Sequence, residues 1–185
     1  MFNDLSSPLS LLLTRRSAKA RDLSAPGPDA GQLQTILKAA ARVPDHGKLA
    51  PWRFVVIDDR ARFAATLAEL SEAQDMKPHE MEALRSFAHE APLLVALVHA
   101  PVDGKIPRWE QELSAGAAAQ NMLLAAHALG YGANWLTAAP AFLPGIADAL
   151  GVPGGRVAGF IFIGTISKPL EERPRPALSD IVLRF

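Results

Sequence analysis

Residues 93–98, Leu-Leu-Val-Ala-Leu-Val, form an uninterrupted apolar run in a chain of 185 residues. The run is too short to cross a bilayer and is typical of a strand that is covered on both faces. A second apolar run, at 157–163, has the same character. These two runs therefore predict buried strands, with the strand at 93–98 at the centre of a sheet.

The longest predicted helix follows this strand, over residues 109–129. This stretch has no proline, a single glycine and many alanines. Small side chains allow another helix to approach closely, so this is either the central helix of the fold or a subunit interface, and both can be true. Gly130 is predicted to end the helix.

The remaining elements lie on either side of these two. Helices are predicted from Ser7 to about Arg16, from Asp29 to before Pro44, and over 60–70, 77–89 and 143–150, and strands over 53–57, 133–137 and 156–164. Strands separated by helices, without a repeat or a low-complexity linker, predict one α/β or α+β sandwich. The proline-containing tail, 166–185, cannot be a free helix, and its apolar end must cover a surface.

The composition excludes several classes of protein. The 19 basic and 19 acidic side chains give a formal charge of zero, which argues against a nucleic-acid groove or a membrane-surface binder. The chain is 49% hydrophobic and 21% charged, which argues against disorder and favours a single domain over residues 1–185. The N-terminal stretch lacks the pattern of a signal peptide, so we expect a cytoplasmic protein.

Several kinds of catalytic site are also excluded. The absence of cysteine rules out thiol catalysis, disulfides and cysteine-ligated metal centres, and the five histidines lack metal-ligand spacing, so no metal site is predicted. No P-loop or nucleophile elbow is present. Glu110 and Glu112 would point to different sides of a helix, and a charged first turn that complements the helix dipole is the favoured reading.

The basic residues cluster at the edges of apolar elements. Guanidinium groups can bind a phosphate through two parallel hydrogen bonds, and a serine adds a neutral donor. A helix C-terminus would also attract such cations, and the residues alone leave both readings open. The clusters are Arg15, Arg16 and Ser17, then Arg42, His46 and Lys48, and finally Arg173 and Arg175.

The order of several segments resembles the nitroreductase family of flavoproteins, and is especially similar to its short bacterial members described as NAD(P)H nitroreductases. The segments that carry the resemblance are Arg15-Arg16-Ser17, residues 41–46 followed by 51–54, residues 107–112 with 114–116, and residues 130–132 before Trp135.

The resemblance implies an α+β nitroreductase-like sandwich, in which helices flank a mostly antiparallel central sheet and FMN binds at the interface of an intertwined homodimer. The tail at 166–185 would pack on the partner subunit. Ala50 stands where relatives commonly have glutamine, which bears on one hydrogen bond to flavin or substrate and so on the substrate range. The resemblance implies that Arg15, Arg16 and Ser17 contact the ribityl chain and phosphate of FMN, and that Arg173 and Arg175 also point toward the phosphate. Arg42 and His46 would contact the flavin of the partner subunit, and Lys48 occupies a loop position where many relatives have asparagine. Trp135, Leu136 and Thr137 would lie along the flavin ring.

The implied activity is transfer of hydride from NADH or NADPH to the flavin, then of electrons to a nitroaromatic, quinone or similar small-molecule acceptor. The flavin carries the chemistry, so the protein supplies position and charge and no side chain acts as nucleophile. Arg16, His46 or Lys48 would stabilise the negative charge of the reduced flavin, and a backbone N–H near Leu136 or Thr137 would donate to N5. Alternatives are an FMN-binding module without turnover, or a relative that performs dehalogenation, azoline oxidation or flavin fragmentation.

Overall fold

A five-stranded sheet forms the middle layer of the protein, whose computed structural model describes residues 1–72, 74 and 76–185. All strand pairs are antiparallel: β5 lies between β3 and β4, β2 flanks β3, and β1 pairs with the end of β5. The predicted mostly antiparallel sheet is therefore confirmed. The strands are β1 (Leu23–Ser24), β2 (Trp52–Val56), β3 (Leu93–His99), β4 (Gly132–Leu136) and β5 (Arg156–Ile166).

Strand β3 is central, as its apolar run predicts. All seven of its residues are buried, and Leu94 and Leu97 are fully so. Because successive side chains of a strand point to opposite faces, a strand whose side chains are all buried must be covered on both sides. Helices supply that cover.

The helices form the two outer layers. On one face the core contains Ile36, Leu97 and Met122, and on the other it contains Phe63, Phe87 and Phe160. The ring of Phe87 meets Phe160 edge-on at 5.2 Å, a favoured aromatic arrangement. Helices α2 and α5 cover the first face and α3, α4 and α6 the second. The helices are α1 (Pro8–Thr14), α2 (Ala30–Ala40), α3 (Arg60–Glu72), α4 (Pro78–His89), α5 (Arg108–Ala128), α6 (Ile146–Ala149) and α7 (Leu178–Ile181).

Helix α5 is the central helix of the fold, as one of the two readings of its alanines predicts. Ala115, Ala118, Ala119 and Ala126 are buried, and they bring α5 close to α2 and to the sheet. At 21 residues it is the longest helix among the described residues. Within that described part of the chain, none of the helices is both long and apolar enough to span a membrane.

Two predicted boundaries near the predicted site differ from the structure. Helix α1 ends at Thr14 rather than at Arg16, because Arg15 leaves the helical region with φ −56° and ψ 126°. Strand β4 runs from Gly132 to Leu136, so Thr137 lies just beyond it. Both shifts place predicted site residues on irregular backbone next to a regular element. Backbone N–H groups there take no part in the hydrogen bonds of the helix or the sheet.

The tail projects from the domain. Every residue from 171 to 185 is exposed, and the single helical turn α7 buries none of its side chains. Leu178, Ile181 and Leu183 are 73%, 61% and 93% exposed. Leu170 packs against the core of its own subunit, whereas residues 171–185 are left uncovered by it, and the packing of the tail on a partner stays a prediction.

Candidate functional site

The first part of the site is the extended segment that follows α1. Arg15 donates from Nη1 to the Ser17 hydroxyl at 3.1 Å, so the two side chains predicted to grip a phosphate lie together. Arg16 is held by both of its backbone groups, because Asn3 accepts from its N–H at 2.8 Å and donates to its carbonyl at 3.3 Å. The Arg16 Nε also donates to the carbonyl of Glu171 at 2.7 Å, which joins the segment to the start of the tail.

These arginines form a cationic cluster that includes the tail. Partial burial lowers the pKa of Arg15, and the charges of Arg175 and Arg16 lower it further. The structure thus places Arg175 within electrostatic reach of Arg15, and the contact of the late basic residues with a phosphate, which the resemblance implies, stays a prediction. No ion pair of the described residues involves any of these three arginines. Arg15 and Arg16 are half-buried and Arg175 is exposed, and cations that lie close together in this way suit a bound anion.

Strand β4 lies beside this segment. The Asn134 amide donates to the carbonyl of Ala18, which follows Ser17. Trp135 and Thr137 are exposed, whereas Leu136 is half-buried. The Trp135 indole is fixed by its hydrogen bond to the Ala158 carbonyl at 3.0 Å.

The position of this indole depends on a glycine in the neighbouring strand. A Cβ atom at Gly159 would lie 2.0 Å from the Trp135 Nε1. The absence of a side chain at position 159 is therefore what allows the indole to lie across β5.

Two clefts flank the cationic segment, and Lys19 lines both. The first, of about 290 Å³, also contains Arg16 and Ser17, and the second, of about 240 Å³, contains Asn134 and Leu136. Sequence reasoning missed Lys19, although it lies two residues after Ser17 in the same extended stretch. Lys19 is exposed, and it stands outside any regular apolar pattern that would draw attention to it in the sequence.

The second part of the site is the loop at 44–50. The Asp45 carboxylate accepts from the backbone N–H groups of Leu49 at 3.2 Å and Ala50 at 2.8 Å. Lys48 and Ala50 have φ values of 57° and 46°, in the left-handed region that costs a non-glycine residue about 1–2 kcal/mol. Asp45 thus stabilises a strained turn, and such strain is concentrated at functional sites.

Polar side chains of α5 hold this loop. The Ser114 hydroxyl donates to the Pro44 carbonyl at 2.8 Å, and the Asn121 amide donates to the Arg42 carbonyl at 3.0 Å. Glu110 Oε2 lies 2.7 Å from His46 Nδ1. Glu110 lies in the first turn of α5, as the favoured reading predicts, and its carboxylate in addition contacts a predicted site residue.

The neighbouring carboxylate of α5 serves a different surface. Glu112 pairs with Arg156 at 3.1 Å, which confirms that the two glutamates point to different sides. Of the other predicted loop residues, the side chains of Arg42 and Lys48 are exposed.

The structure thus divides the predicted residues between two places. Arg15, Arg16, Ser17 and Arg175 lie at one place, next to β4 with Trp135, Leu136 and Thr137, while Arg173 lies on the exposed tail. Arg42, His46 and Lys48 lie at the loop, and no hydrogen bond or ion pair of the described residues joins the loop to the cationic segment. In the described part of the chain, no cluster of three or more histidine, aspartate or glutamate side chains could hold a metal ion.

The family model and the sequence relatives that match the chain share the description nitroreductase. Residues 12–165 match the Nitroreductase family. The "Putative NAD(P)H nitroreductase YdjA" of Escherichia coli strain K12 is 38% identical over 161 residues, which cover 85% of this chain and 87% of that protein. A Haemophilus influenzae protein of the same description is 36% identical over 172 residues, covering 90% and 92% of the two chains.

Solved structures of nitroreductase-like proteins have the same fold as this chain. A nitroreductase-like family protein from Bacillus cereus superposes with a TM-score of 0.82 at 20% identity, covering 97% of this chain and 96% of that one. A structure from Desulfovibrio desulfuricans, described as a "putative nitroreductase in complex with fmn", superposes with a TM-score of 0.75 at 25% identity, covering 97% and 98%. The resemblance of the motifs is thereby confirmed, and the chain belongs to the nitroreductase family of oxidoreductases.

Proposed function

We propose that the protein binds FMN and passes electrons from NADH or NADPH, through the flavin, to a nitroaromatic, quinone or similar acceptor. The observation that carries the proposal is the cluster of Arg15, Arg16 and Arg175 beside Ser17, in which none of the three arginines has an ion-pair partner among the described residues. The doubly charged phosphate of FMN matches such a cluster in charge and in hydrogen-bonding geometry. Relatives described as NAD(P)H nitroreductases, and a related FMN complex, support it.

The exposed end of β4 suits the isoalloxazine ring. Trp135 is fixed against β5 and presents a rigid apolar surface, and Thr137 follows the last residue pair of the β4–β5 ladder, Leu136 with Phe160. We assign the donor to flavin N5 to the backbone at Leu136 or Thr137. Bound FMN supplies the hydride chemistry, and this chain orients it. Lys19, between the two clefts, joins Arg16, His46 and Lys48 as a cation that can stabilise negative charge on the reduced ring.

The loop residues Arg42, His46 and Lys48 would act on the flavin of a second subunit, because they lie apart from the cationic segment of their own. The surface favours such a pairing. Leu9, Leu12 and Leu13 of α1 are 62%, 56% and 77% exposed, and the apolar end of the tail is exposed as well. Apolar side chains grouped in this way mark an interaction surface, and two identical chains can cover each other by two-fold symmetry.

The test is an anaerobic titration of the purified holoprotein with NADH and, separately, with NADPH. We expect a yellow protein whose flavin absorbance bleaches with at least one of the two nicotinamides. Arg15→Ala should weaken FMN binding about ten- to a hundredfold, the usual worth of a charge-assisted hydrogen bond. Arg85→Ala is the matched control, since Arg85 is exposed on α4 and pairs with Glu82 three residues away.

Two results would contradict the proposal. A protein that takes up no FMN would contradict the cofactor assignment, and a flavin that neither nicotinamide bleaches would contradict the reductase assignment. Equal FMN affinity of Arg15→Ala and Arg85→Ala would show that the cationic cluster is not the phosphate site.

A further inference from the structure

The imidazole of His46 and the carboxylate of Glu110 form a dyad beside α5. His46 Nδ1 lies 2.7 Å from Glu110 Oε2, and the side chain of Glu110 is only 30% exposed. A carboxylate only accepts hydrogen bonds when ionised, so the proton between these two atoms belongs to Nδ1. The neutral ring is thus fixed in one tautomer, with its Nε2 directed away from Glu110.

The dyad lines an apolar pocket of about 430 Å³. Pro44, Trp109 and Leu113 form its walls, and Trp109 and Leu113 are 61% and 63% exposed. A flat aromatic molecule fits such walls, and the dyad is the polar group that would meet an oxygen on its ring. The His46 side chain is 67% exposed, so water can return a proton to Nε2 after each turnover.

The loop that carries His46 is built to hold the ring still. Gly47 has a φ of 74° and packs closely on Ile106. A Cβ atom at position 47 would lie 2.3 Å from the Cδ1 of Ile106. Gln111 in turn fixes the stretch around Ile106, because its amide donates to the carbonyls of Val102 at 2.9 Å and Ile106 at 3.1 Å. The dyad therefore rests on supported backbone, as a proton donor requires.

We propose that His46, held by Glu110, is the acid that protonates the oxygen of the electron acceptor in this pocket. The proposal rests on the proposed flavin function. Reduction of a nitroarene to a nitrosoarene takes up two electrons and two protons, breaks one N–O bond and releases one water. Bound reduced flavin would supply two electrons and one proton as hydride, and His46 Nε2–H would supply the second proton to the departing oxygen. The imidazolium becomes neutral imidazole with its remaining proton on Nδ1, facing Glu110.

The kinetic test separates acceptors that need a proton from one that does not. Holoprotein reduced anaerobically with dithionite is mixed in a stopped-flow instrument with nitrobenzene or with ferricyanide, which takes single electrons without a proton. We expect His46→Gln to slow reoxidation by nitrobenzene at least tenfold more than it slows reoxidation by ferricyanide, a difference that a general acid can supply. Glu112→Gln is the matched control on the same helix and should leave the ratio of the two rates as in the wild type.

A spectroscopic readout tests the dyad without turnover. The ¹⁵N shifts of His46 in the holoprotein should show the neutral ring protonated on Nδ1, and Glu110→Ala should move the proton to Nε2, the form preferred by free histidine. The same variant should slow nitrobenzene reoxidation less than His46→Gln does, because it removes the orienting group and keeps the acid.

The outcomes distinguish this proposal from the one on which it rests. An unchanged nitrobenzene rate in His46→Gln overturns the acid role while flavin reduction stays intact. Equal slowing of both acceptors also overturns it and assigns His46 to the flavin itself. A wild-type protein without flavin, or with a flavin that no nicotinamide reduces, overturns both proposals.

Discussion

His127 makes the stability of the fold depend on pH. The ring is 1% exposed within α5, and its Nδ1 lies 3.0 Å from the Tyr131 carbonyl, so this nitrogen carries the proton. Nε2 is buried without a hydrogen-bond partner among the described residues. The pKa of His127 is lowered from 6.5 to about 4, chiefly by burial; the Tyr131 hydrogen bond opposes this shift, and the charge of Arg15 contributes to it.

The direction in which pH changes the free energy of unfolding follows from proton uptake. Below pH 6.5 the unfolded chain binds a proton at His127 that the folded chain does not bind until about pH 4. Acid therefore favours the unfolded state, and stability is lost as the pH falls from about 6.5 to about 4. The free energy of unfolding should decrease through this one group by about 2 kcal/mol at pH 5 and by about 3 kcal/mol below pH 4.

His127→Asn tests this linkage, since asparagine keeps a donor for the Tyr131 carbonyl and does not titrate. Urea unfolding of both proteins, at one protein concentration, is compared at pH 8 and pH 5. The wild type should lose about 2 kcal/mol more than the variant between the two pH values, whereas His79→Asn, at an exposed position, should behave as the wild type. Equal losses in wild type and His127→Asn would refute the reasoning, because effects of other groups such as Asp22 cancel in the comparison.

Three further outcomes follow from the packing and charge of other residues. Gly159→Ala should lower the free energy of unfolding by about 1–3 kcal/mol in urea titrations, because its Cβ would displace the Trp135 indole, whereas Gly116→Ala in α5 has open space and should be neutral or stabilising. Light scattering should give twice the 19.8 kDa of one chain, and deletion of 177–185 should shift the protein toward the monomer; a full-length monomer that retains FMN would exclude the shared site. Lys48→Met should lower the flavin midpoint potential by about 30 mV in spectroelectrochemistry if that cation lies near the ring, and an unchanged midpoint would assign Lys48 to solvent.

Most of the fold could be predicted because the signals are local. The apolar run at 93–98 became the buried strand β3, and the alanine-rich stretch at 109–129 became the central helix α5. These segments need no distant residue to decide their structure, since composition and length decide between strand and helix. The end of α1 was misplaced because only the backbone torsion of Arg15, set by tertiary contacts, ends the helix there.

The site was harder to predict because its contacts join residues far apart in the chain. Arg16 binds a carbonyl 155 residues away, and His46 binds Glu110 across 64 residues. Nothing in the local sequence of either partner indicates the other, so Glu110 was read from its position in the first turn of a helix. Lys19 was overlooked for a related reason, since only the folded chain shows that it lines two clefts at once.

A net charge of zero is compatible with a cationic site, because the net charge describes the whole chain and the site involves only a few residues at one point. A polyanion such as nucleic acid needs a broad positive surface, which a balanced chain lacks, whereas a single phosphate needs only a few guanidinium groups at one point. Burial of Arg15, and after it the nearby charges of Arg175 and Arg16, lower the pKa of Arg15, so holding this guanidinium charged in the cluster costs free energy. An anion that binds there removes this cost and binds the folded chain alone, so it stabilises the fold by mass action. If the phosphate of FMN binds there, as we propose, it would stabilise the fold in addition to anchoring the flavin, and the flavin-loaded protein should melt at a higher temperature than the flavin-free protein in calorimetry.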